Sequence, residues 1–378
     1  MIVVHILAIA TLIYFLAIFY LTYGVYKLRR FKQMADTTVN QFSIVIPFRN
    51  EADRIIPLLI SLNELEYPRD KFEVILVDDD STDSSVMVIE EHLQNSTLDW
   101  KIKPNKRKTA SPKKDAITTA ITSSRNDWIV TTDADCIIPN QWLKRIDSFI
   151  QKQDPVMVCG PVSFQASRLW SLSSQYQIVE GIALQGVSMG GFGHESPLLC
   201  NGANLAYKKE IFQQAGGYTG NSEIASGDDI FLMESLRRKH PERIRFIKDR
   251  AVIVKTPVMK NWRDIIQQRI RWGSKTSRQR NWTAKGIAII ITVSNLILGI
   301  ALLSLPFNWQ SKDLIIQIGC SKIVLDLYFM AQTHLFLRQK LNFLMIIVLA
   351  VIYPFISSYI AIRSIFGGYT WKGREFRH

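Results

Sequence analysis

The four cysteines, Cys136, Cys159, Cys200 and Cys320, are scattered through 378 residues. The chain therefore has neither the close pairs of a zinc site nor the density of a disulfide scaffold. Reduced, mostly buried thiols are expected, as in a cytosolic main domain. Internal repeats and low-complexity segments are also missing, which excludes a solenoid or a compositionally disordered chain. Acidic residues are in short supply: 33 Asp and Glu face 46 Lys and Arg, a formal net charge of +13. Such an excess asks for a polyanionic partner, an anionic membrane surface or a phosphate-bearing substrate. No nucleic-acid module accompanies it, so no nucleic-acid partner is expected.

The hydrophobic fraction is an ordinary 47%, but its distribution is uneven, with apolar residues crowded into the first 26 positions and the last hundred. A stretch from Ile2 to Tyr26 without Asp, Glu, Lys or Arg is long enough to cross about 30 Å of hydrocarbon as a helix. Basic residues follow this run (Lys27, Arg29, Arg30, Lys32) and no small-residue cleavage pattern is evident, so a membrane helix is expected and not a signal peptide. The same charges place the N-terminus outside and the chain after Lys27 in the cytosol. Further apolar segments lie at about 285–307, 314–337 and 342–366. The middle one carries Lys322 and Asp326, four residues apart and thus on one helical face, where they can pair. If all three span, the C-terminus lies outside, whereas the basic tail (Lys372, Arg374, Arg377, His378) favours the cytosolic side; both topologies stay open. Compact size and short loops point to a multi-pass protein of a bacterial inner membrane.

Between these segments, short β-rich runs (Phe42–Pro47, Glu73–Val77, Trp128–Thr132, Val156–Val162) alternate with helical patterns. That alternation predicts a mostly parallel, helix-flanked sheet, in which ligands bind beyond the carboxyl ends of strands. The expected organisation is a membrane helix over 1–26, a basic linker over 27–41, a catalytic domain over 42–254, an amphipathic interface segment over 255–283, a C-terminal membrane region over 284–366 and a basic tail over 367–378.

Polar residues just after the strands are the ones to weigh. The second run ends in Val77-Asp78-Asp79-Asp80-Ser81-Thr82-Asp83. An aspartate there can accept a hydrogen bond from the imide N–H of uracil, and Ser81 or Asp83 can equally cap the next helix. Farther on, Asp133-Ala134-Asp135 leaves an apolar strand, where two carboxylates can bind Mg²⁺ or Mn²⁺ while diphosphate and water fill the other positions. The plain alternative is a cap or turn. In Ala225-Ser226-Gly227-Asp228-Asp229-Ile230-Phe231-Leu232, two acids precede an apolar helical run. A carboxylate at this place can take the proton of an attacking hydroxyl or simply favour the helix dipole. Gln268-Arg269-Ile270-Arg271-Trp272 lies in a basic, aromatic-rich stretch over 257–282. Arg grips phosphate and Trp packs on a sugar face, though an interfacial helix with Trp262, Trp272 and Trp282 at headgroup level fits too.

Taken in order, these motifs resemble the family 2 inverting glycosyltransferases with the GT-A fold, in their membrane-integrated branch: Ile-Pro-x-x-Asn-Glu (46–51), Val-Asp-Asp-x-Ser-Thr-Asp (77–83), Asp-x-Asp (133–135), an acidic pair before Ile-Phe-Leu (228–232) and Gln-x-x-Arg-Trp (268–272). The resemblance implies an α/β GT-A, Rossmann-like nucleotide-sugar-binding domain flanked by transmembrane helices. It implies a UDP-sugar donor held by Pro47, Asn50, Glu51 and Asp79, a divalent-metal site at Asp133 and Asp135, and Asp229 as base beside Asp228, which replaces the more usual Glu. Gln268, Arg271 and Trp272 match the motif that closes over the donor diphosphate. Lys113 stands where the family often has Gly-Lys, with Pro112 in place of the Gly, and Cys200-Asn201-Gly202-Ala203-Asn204 resembles the loop lining the sugar and acceptor pocket. The activity implied is metal-dependent transfer of a sugar, with inversion, to a lipid or glycan acceptor among membrane lipids. A processive polysaccharide synthase shares these motifs. A catalytically inactive nucleotide-sugar-binding subunit would be expected to have lost one of the acids.

Overall fold

The computed structural model of the protein describes residues 2–32, 37–166, 168, 170–220, 226–276, 278–307, 312–371 and 374–376. From the N-terminus, α1 (Ile2–Lys27) precedes β1 (Phe42–Phe48), α2 (Ile56–Asn63), β2 (Phe72–Asp78), α3 (Ser85–Leu93), β3 (Trp100–Pro104), α4 (Pro112–Ser123), β4 (Trp128–Thr131), α5 (Trp142–Gln153), β5 (Met157–Cys159) and β6 (Val162–Gln165). Then come α6 (Leu172–Gly193), β7 (Leu205–Lys208), α7 (Lys209–Gln214), α8 (Asp228–Lys239), β8 (Ile244–Phe246), β9 (Val254–Pro257) and α9 (Trp262–Thr276). The chain closes with α10 (Trp282–Ser304), α11 (Lys312–Leu337), α12 (Phe343–Phe366), β10 (Tyr369–Trp371) and β11 (Arg374–Phe376). Two compact units result: Arg29–Gln165 with Cys200–Pro257, and Met1–Leu28 with Ala166–Leu199 and Val258–His378. The α/β unit is thus discontinuous, where the sequence reading runs it unbroken over 42–254. The long apolar helix α6 groups with the other long apolar helices.

In the α/β unit a seven-stranded sheet has the order β3-β2-β1-β4-β7-β5-β8. Strands β1 to β4 are parallel, pairing Phe42 with Phe72 and with Trp128. The sheet is mixed, because β7 runs antiparallel to both β4 and β5. Central strands are buried on both faces, as their unbroken apolar runs require: Ile44, Ile46, Val74, Leu76 and Val130 pack with Leu58 and Leu59 of α2, Ile89 of α3 and Trp142 of α5. Each such side chain contributes about 1.5–3 kcal/mol on burial. The run at 156–162 forms two strands instead of one. Pro161 has no N–H to continue the ladder, and Gly160 donates to the carbonyl of Asn204 at 2.8 Å, so the chain leaves the main sheet and β6 pairs with β9.

At the amino ends of the parallel strands sits a buried carboxylate. Glu73 accepts hydrogen bonds of 2.7 Å from the Ser43 hydroxyl, the Arg125 backbone N–H and the Lys101 ammonium. Burial works against its charge, yet the Arg125, Lys101 and Ser43 contacts prevail and hold its pKa below the ordinary 4.5. A carboxyl with a depressed folded-state pKa contributes stability above its unfolded value and loses it as pH falls through the folded one. Glu73→Gln should cost about 2–3 kcal/mol at neutral pH. The gap to wild type, read by denaturant unfolding, should shrink as the pH drops below the ordinary glutamate range.

In the helical unit, Ile9–Lys27, α10, α11 and α12 are each long and apolar enough to cross a membrane. Many of their large apolar side chains are exposed, among them Leu16, Phe19, Ile289, Leu335 and Ile347. The expected pair on α11 forms, with Lys322 Nζ 2.7 Å from Asp326 Oδ2. Tyr14 of α1 donates its hydroxyl to the same carboxylate, and the ammonium lies 4.7 Å over the Tyr14 ring. Cys136 and Cys159 are buried, but Cys320 is exposed on the outer side of α11, contrary to the burial expected for most of the thiols. Residues 369–376 bring β10 and β11 together as an antiparallel pair, whereas Lys372, Arg377 and His378 of the basic tail lie outside the described residues, as does Ala225.

Helix α6 crosses α1 where both expose backbone. A methyl group on Gly193 would stand 1.8 Å from the carbonyl oxygen of Gly24, and one on Gly24 2.1 Å from that of Gly190. Small residues that let helix backbones touch are the means by which helices pack where no hydrophobic force drives them together. Gly193→Leu should force the crossing apart at a cost of about 3 kcal/mol, read as a lowered midpoint in detergent-solubilised thermal unfolding. Gly286, with open space around it, should accept alanine without loss.

Candidate active site

The loops after β1 and β2 are laced together by the residues of the first two motifs. Arg49 Nη1 donates to the carbonyls of Asp79 and Asp80, each at 2.7 Å. Asn50 takes the left-handed conformation, φ 51°, which its short polar side chain tolerates. Its Oδ1 accepts from the Thr82 N–H at 2.8 Å, and its own N–H donates to the Ser81 hydroxyl at 3.1 Å. Glu51 is buried, and its N–H donates to the Ser85 hydroxyl at 2.7 Å. Pro47 sits in β1 opposite Val77. Asp83 does the capping, accepting from the N–H groups of Ser85 (3.0 Å) and Ala52 (3.2 Å). Slight burial opposes its charge, but the Ser85 and Ala52 hydrogen bonds lower its pKa. That assignment leaves Asp79 for another task. It is buried, its Oδ1 accepts from Asn105 Nδ2 at 2.7 Å, and Arg107 Nε lies 3.8 Å away. Asn105 Nδ2 also donates to the carbonyl of Pro112 at 3.0 Å, which ties Asp79 to the first turn of α4.

The second residue of that turn is Lys113. Its ammonium stands 2.7 Å from Asp133 Oδ1 and 3.3 Å from Asp228 Oδ2. Burial disfavours its charge, but Asp133, Asp228 and Asp229 outweigh this and raise its pKa above the ordinary lysine value. Asp133 and half-buried Asp135 follow β4, as the sequence places them. The Cys136 thiol beside them donates to Asp135 Oδ1 at 3.8 Å, and burial together with Asp135 and Asp133 pushes its pKa up. Asp228 and Asp229 open α8 behind Gly227, whose φ of 83° makes the sharp entry. The buried Asp229 accepts from the Ile230 N–H at 2.8 Å. A Cβ at Gly202 would lie 3.0 Å from Asp228 Oδ2, 3.3 Å from Lys113 Nζ and 3.8 Å from Asp229 Cβ. The backbone of the 200–204 loop therefore forms one wall of this charged cluster, and Thr131 holds it there by donating to the Gly202 carbonyl at 2.7 Å.

Within that loop Asn204 has a different position from the one its motif suggests. Its side chain is buried, donates to the carbonyls of Pro161 and Val252 (2.8 Å each) and accepts from Trp142 Nε1 at 3.0 Å. It thus holds the frame around the site. Arg49, Asn105 and Asn204 were not singled out from the sequence as site-building residues. Arg49 could have been found, since it occupies a variable position inside the first motif.

Gln268, Arg271 and Trp272 belong to α9 in the helical unit. Between them lies buried Arg269, whose guanidinium donates to the Gln268 side-chain oxygen and to Glu180 of α6, with Cζ 4.4 Å above the Trp272 ring. Tyr176 donates to the other Glu180 oxygen at 3.0 Å. The motif's Gln and Trp are thus held through the intervening arginine.

The family model for glycosyl transferase family 2 matches residues 43–216. The poly(ribitol-phosphate) beta-N-acetylglucosaminyltransferase TarS of Staphylococcus aureus strain Mu50 is 29% identical over 112 residues, 30% of this chain and 19% of its own. Glycosyltransferase AglE of Haloferax volcanii is 24% identical over 201 residues, 51% of this chain and 60% of its own. This chain therefore spans less than two thirds of either relative. Among solved structures, the mannosyltransferase PcManGT from Pyrobaculum calidifontis, in complex with GDP-Man and Mn²⁺, superposes with a TM-score of 0.59 at 15% identity, over 89% of this chain and 99% of that one. This likeness is one of fold. Motif order, strand topology and family match agree: residues 43–216 match the glycosyl transferase family 2 model within an α/β unit that has the GT-A fold.

Proposed function

We propose that the protein transfers a sugar from a UDP-sugar to a hydroxyl of a lipid or lipid-linked acceptor, with inversion at the anomeric carbon. The observation that carries this reading is the convergence of Lys113, Asp133 and Asp228 on one point at the carboxyl ends of the strands, with Asp229 the next residue. A cation and several carboxylates gathered there suit a diphosphate and the proton transfer that accompanies its departure. Asp79, buried one loop away and held by Asn105, suits the uracil imide. Relatives named as an N-acetylglucosaminyltransferase and a glycosyltransferase support the class of reaction.

Asp133 and Asp135 offer hard oxygen donors, and Asp133 already faces a cation in Lys113, so the pair suits Mg²⁺ or Mn²⁺. No group of three His, Cys, Asp or Glu that could hold a metal occurs among the described residues. An ion held here would thus complete its shell with diphosphate oxygens and water. When bound, such an ion supplies positive charge against the departing diphosphate. The acceptor oxygen forms its bond to the anomeric carbon as the bond to the diphosphate oxygen breaks. UDP leaves with the electron pair, and Asp229 receives the hydroxyl proton. For Gln268, Arg271 and Trp272, a role in holding the donor rests on the motif alone. Four apolar helices of spanning length support a multi-pass membrane protein, with an acceptor from the same bilayer. The basic flank Lys27, Arg29, Arg30 and Lys32 favours a cytosolic catalytic unit, as in a bacterial inner membrane.

Asp229→Asn should lower turnover by about a hundredfold or more while UDP binding by calorimetry stays within about threefold of wild type; retention of most of the rate would remove Asp229 from the base position. Asp135→Asn should abolish turnover that depends on Mg²⁺ or Mn²⁺. Membranes holding the protein, given radiolabelled UDP-sugars with either metal and then extracted with organic solvent, should carry label into the organic phase. Label confined to insoluble, glycosidase-sensitive material would mark a polysaccharide synthase instead, and no transfer from any donor would overturn the enzymatic reading.

A further inference from the structure

Three carboxylates and one ammonium meet at the mouth of the sheet. Asp133 comes from the end of β4, Asp228 and Asp229 from the first turn of α8, and Lys113 from the first turn of α4. Lys113 is the cation in contact with two of them at once, 2.7 Å from Asp133 Oδ1 and 3.3 Å from Asp228 Oδ2. The space around it is shared with backbone, since a single added carbon at Gly202 would come within 3.0 Å of Asp228 Oδ2 and 3.3 Å of the ammonium. Carboxylates this close repel one another unless a positive charge stands among them. Lys113 supplies such a charge to Asp133 and Asp228.

A divalent ion taken up by Asp133 would compete with Lys113 for the same carboxylate, and the two cations would repel each other. Both cannot hold Asp133 fully. We propose that Lys113 is a built-in counter-ion, which braces Asp133 against Asp228 while no donor is bound and gives up Asp133 to the metal that arrives with the nucleotide-sugar. Its chain is anchored for such a move. Pro112, the preceding residue, has its carbonyl held by Asn105, which also holds Asp79, so the backbone stays in place while the side chain swings from carboxylate to diphosphate. The device makes metal binding depend on the donor and keeps the charged site from gaping or filling with stray cations between turnovers. It rests on the metal and donor reading of Asp133.

The test measures Mn²⁺ binding to the full-length protein in detergent, by the electron paramagnetic resonance signal of free Mn²⁺, with and without UDP. Without UDP, wild type should bind Mn²⁺ weakly and Lys113→Met at least tenfold more tightly. Lys113→Arg, which keeps the charge, should stay close to wild type. With UDP present the advantage of Lys113→Met should vanish, because wild-type Lys113 has then left Asp133 for the diphosphate. As a second readout, Mn²⁺ alone should raise the thermal midpoint of Lys113→Met more than that of wild type, which also shows that the variant is folded. Equal or weaker nucleotide-free binding by folded Lys113→Met, with UDP-dependent binding intact in wild type and lost in Asp133→Asn, would overturn the counter-ion while leaving the metal site standing. No Mn²⁺ binding by wild type or variant even with UDP would overturn both.

Discussion

Charge balance at the carboxyl ends of the strands is the constraint on which the α/β unit depends. Parallel strands in register deliver their loops to one edge, and here those loops carry Asp79, Asp133 and Asp135, with Asp228 and Asp229 arriving from α8. Such a concentration of negative charge is unfavourable in a partly buried place unless matched. Lys113 matches it at Asp133 and Asp228, and the Arg107 guanidinium lies 3.8 Å from Asp79. The opposite edge of the sheet is secured by the well-satisfied Glu73.

The helical unit meets a different demand. Long apolar helices can be joined by close backbone approach or by polar pairs. Both are used. Gly24, Gly190 and Gly193 let α1 and α6 touch, while Tyr14, Lys322 and Asp326 join α1 to α11. A lysine and an aspartate in an apolar helix are costly separately and far less so as a pair one turn apart with a tyrosine attached. The same economy holds at α9, where buried Arg269 is paired with Glu180 of α6 and stacked on Trp272.

What could be read in advance follows from how local each signal is. The strands β1, β2 and β4 are mostly apolar runs with acids at or shortly after their ends (Glu51, Asp78 and Asp79, Asp133), so type and position were legible. Strand β3 was not, because it is an edge strand whose Lys101 and Lys103 interrupt the apolar pattern, as edges commonly require. The direction of β7 cannot be deduced from its four residues, since antiparallel insertion depends on the path of the chain through α6. That helix itself reads ambiguously, with buried Gln175, Gln177, Gln185 and Ser188 among its apolar residues. Those polar groups make sense only beside partners distant in sequence, such as the Met259 carbonyl and N–H that Gln177 engages at 2.9 and 2.8 Å. The role of the Asn204 side chain was out of reach for the same reason, since its three partners come from Trp142, Pro161 and Val252.

Adjacent acids at the start of α8 show how one local feature can serve two ends. Successive helical residues point about 100° apart, so Asp228 and Asp229 make different contacts although both act on the charge of Lys113. Asp228 meets Lys113 and lends its charge to the cluster. Asp229 lies against the 200–204 loop and accepts the N–H of Ile230. A glutamate in place of Asp228 would carry its carboxylate one methylene farther, through the space that Gly202 leaves against Asp228 Oδ2 and Lys113 Nζ. The shorter side chain is therefore the one whose reach suits Lys113 as it stands.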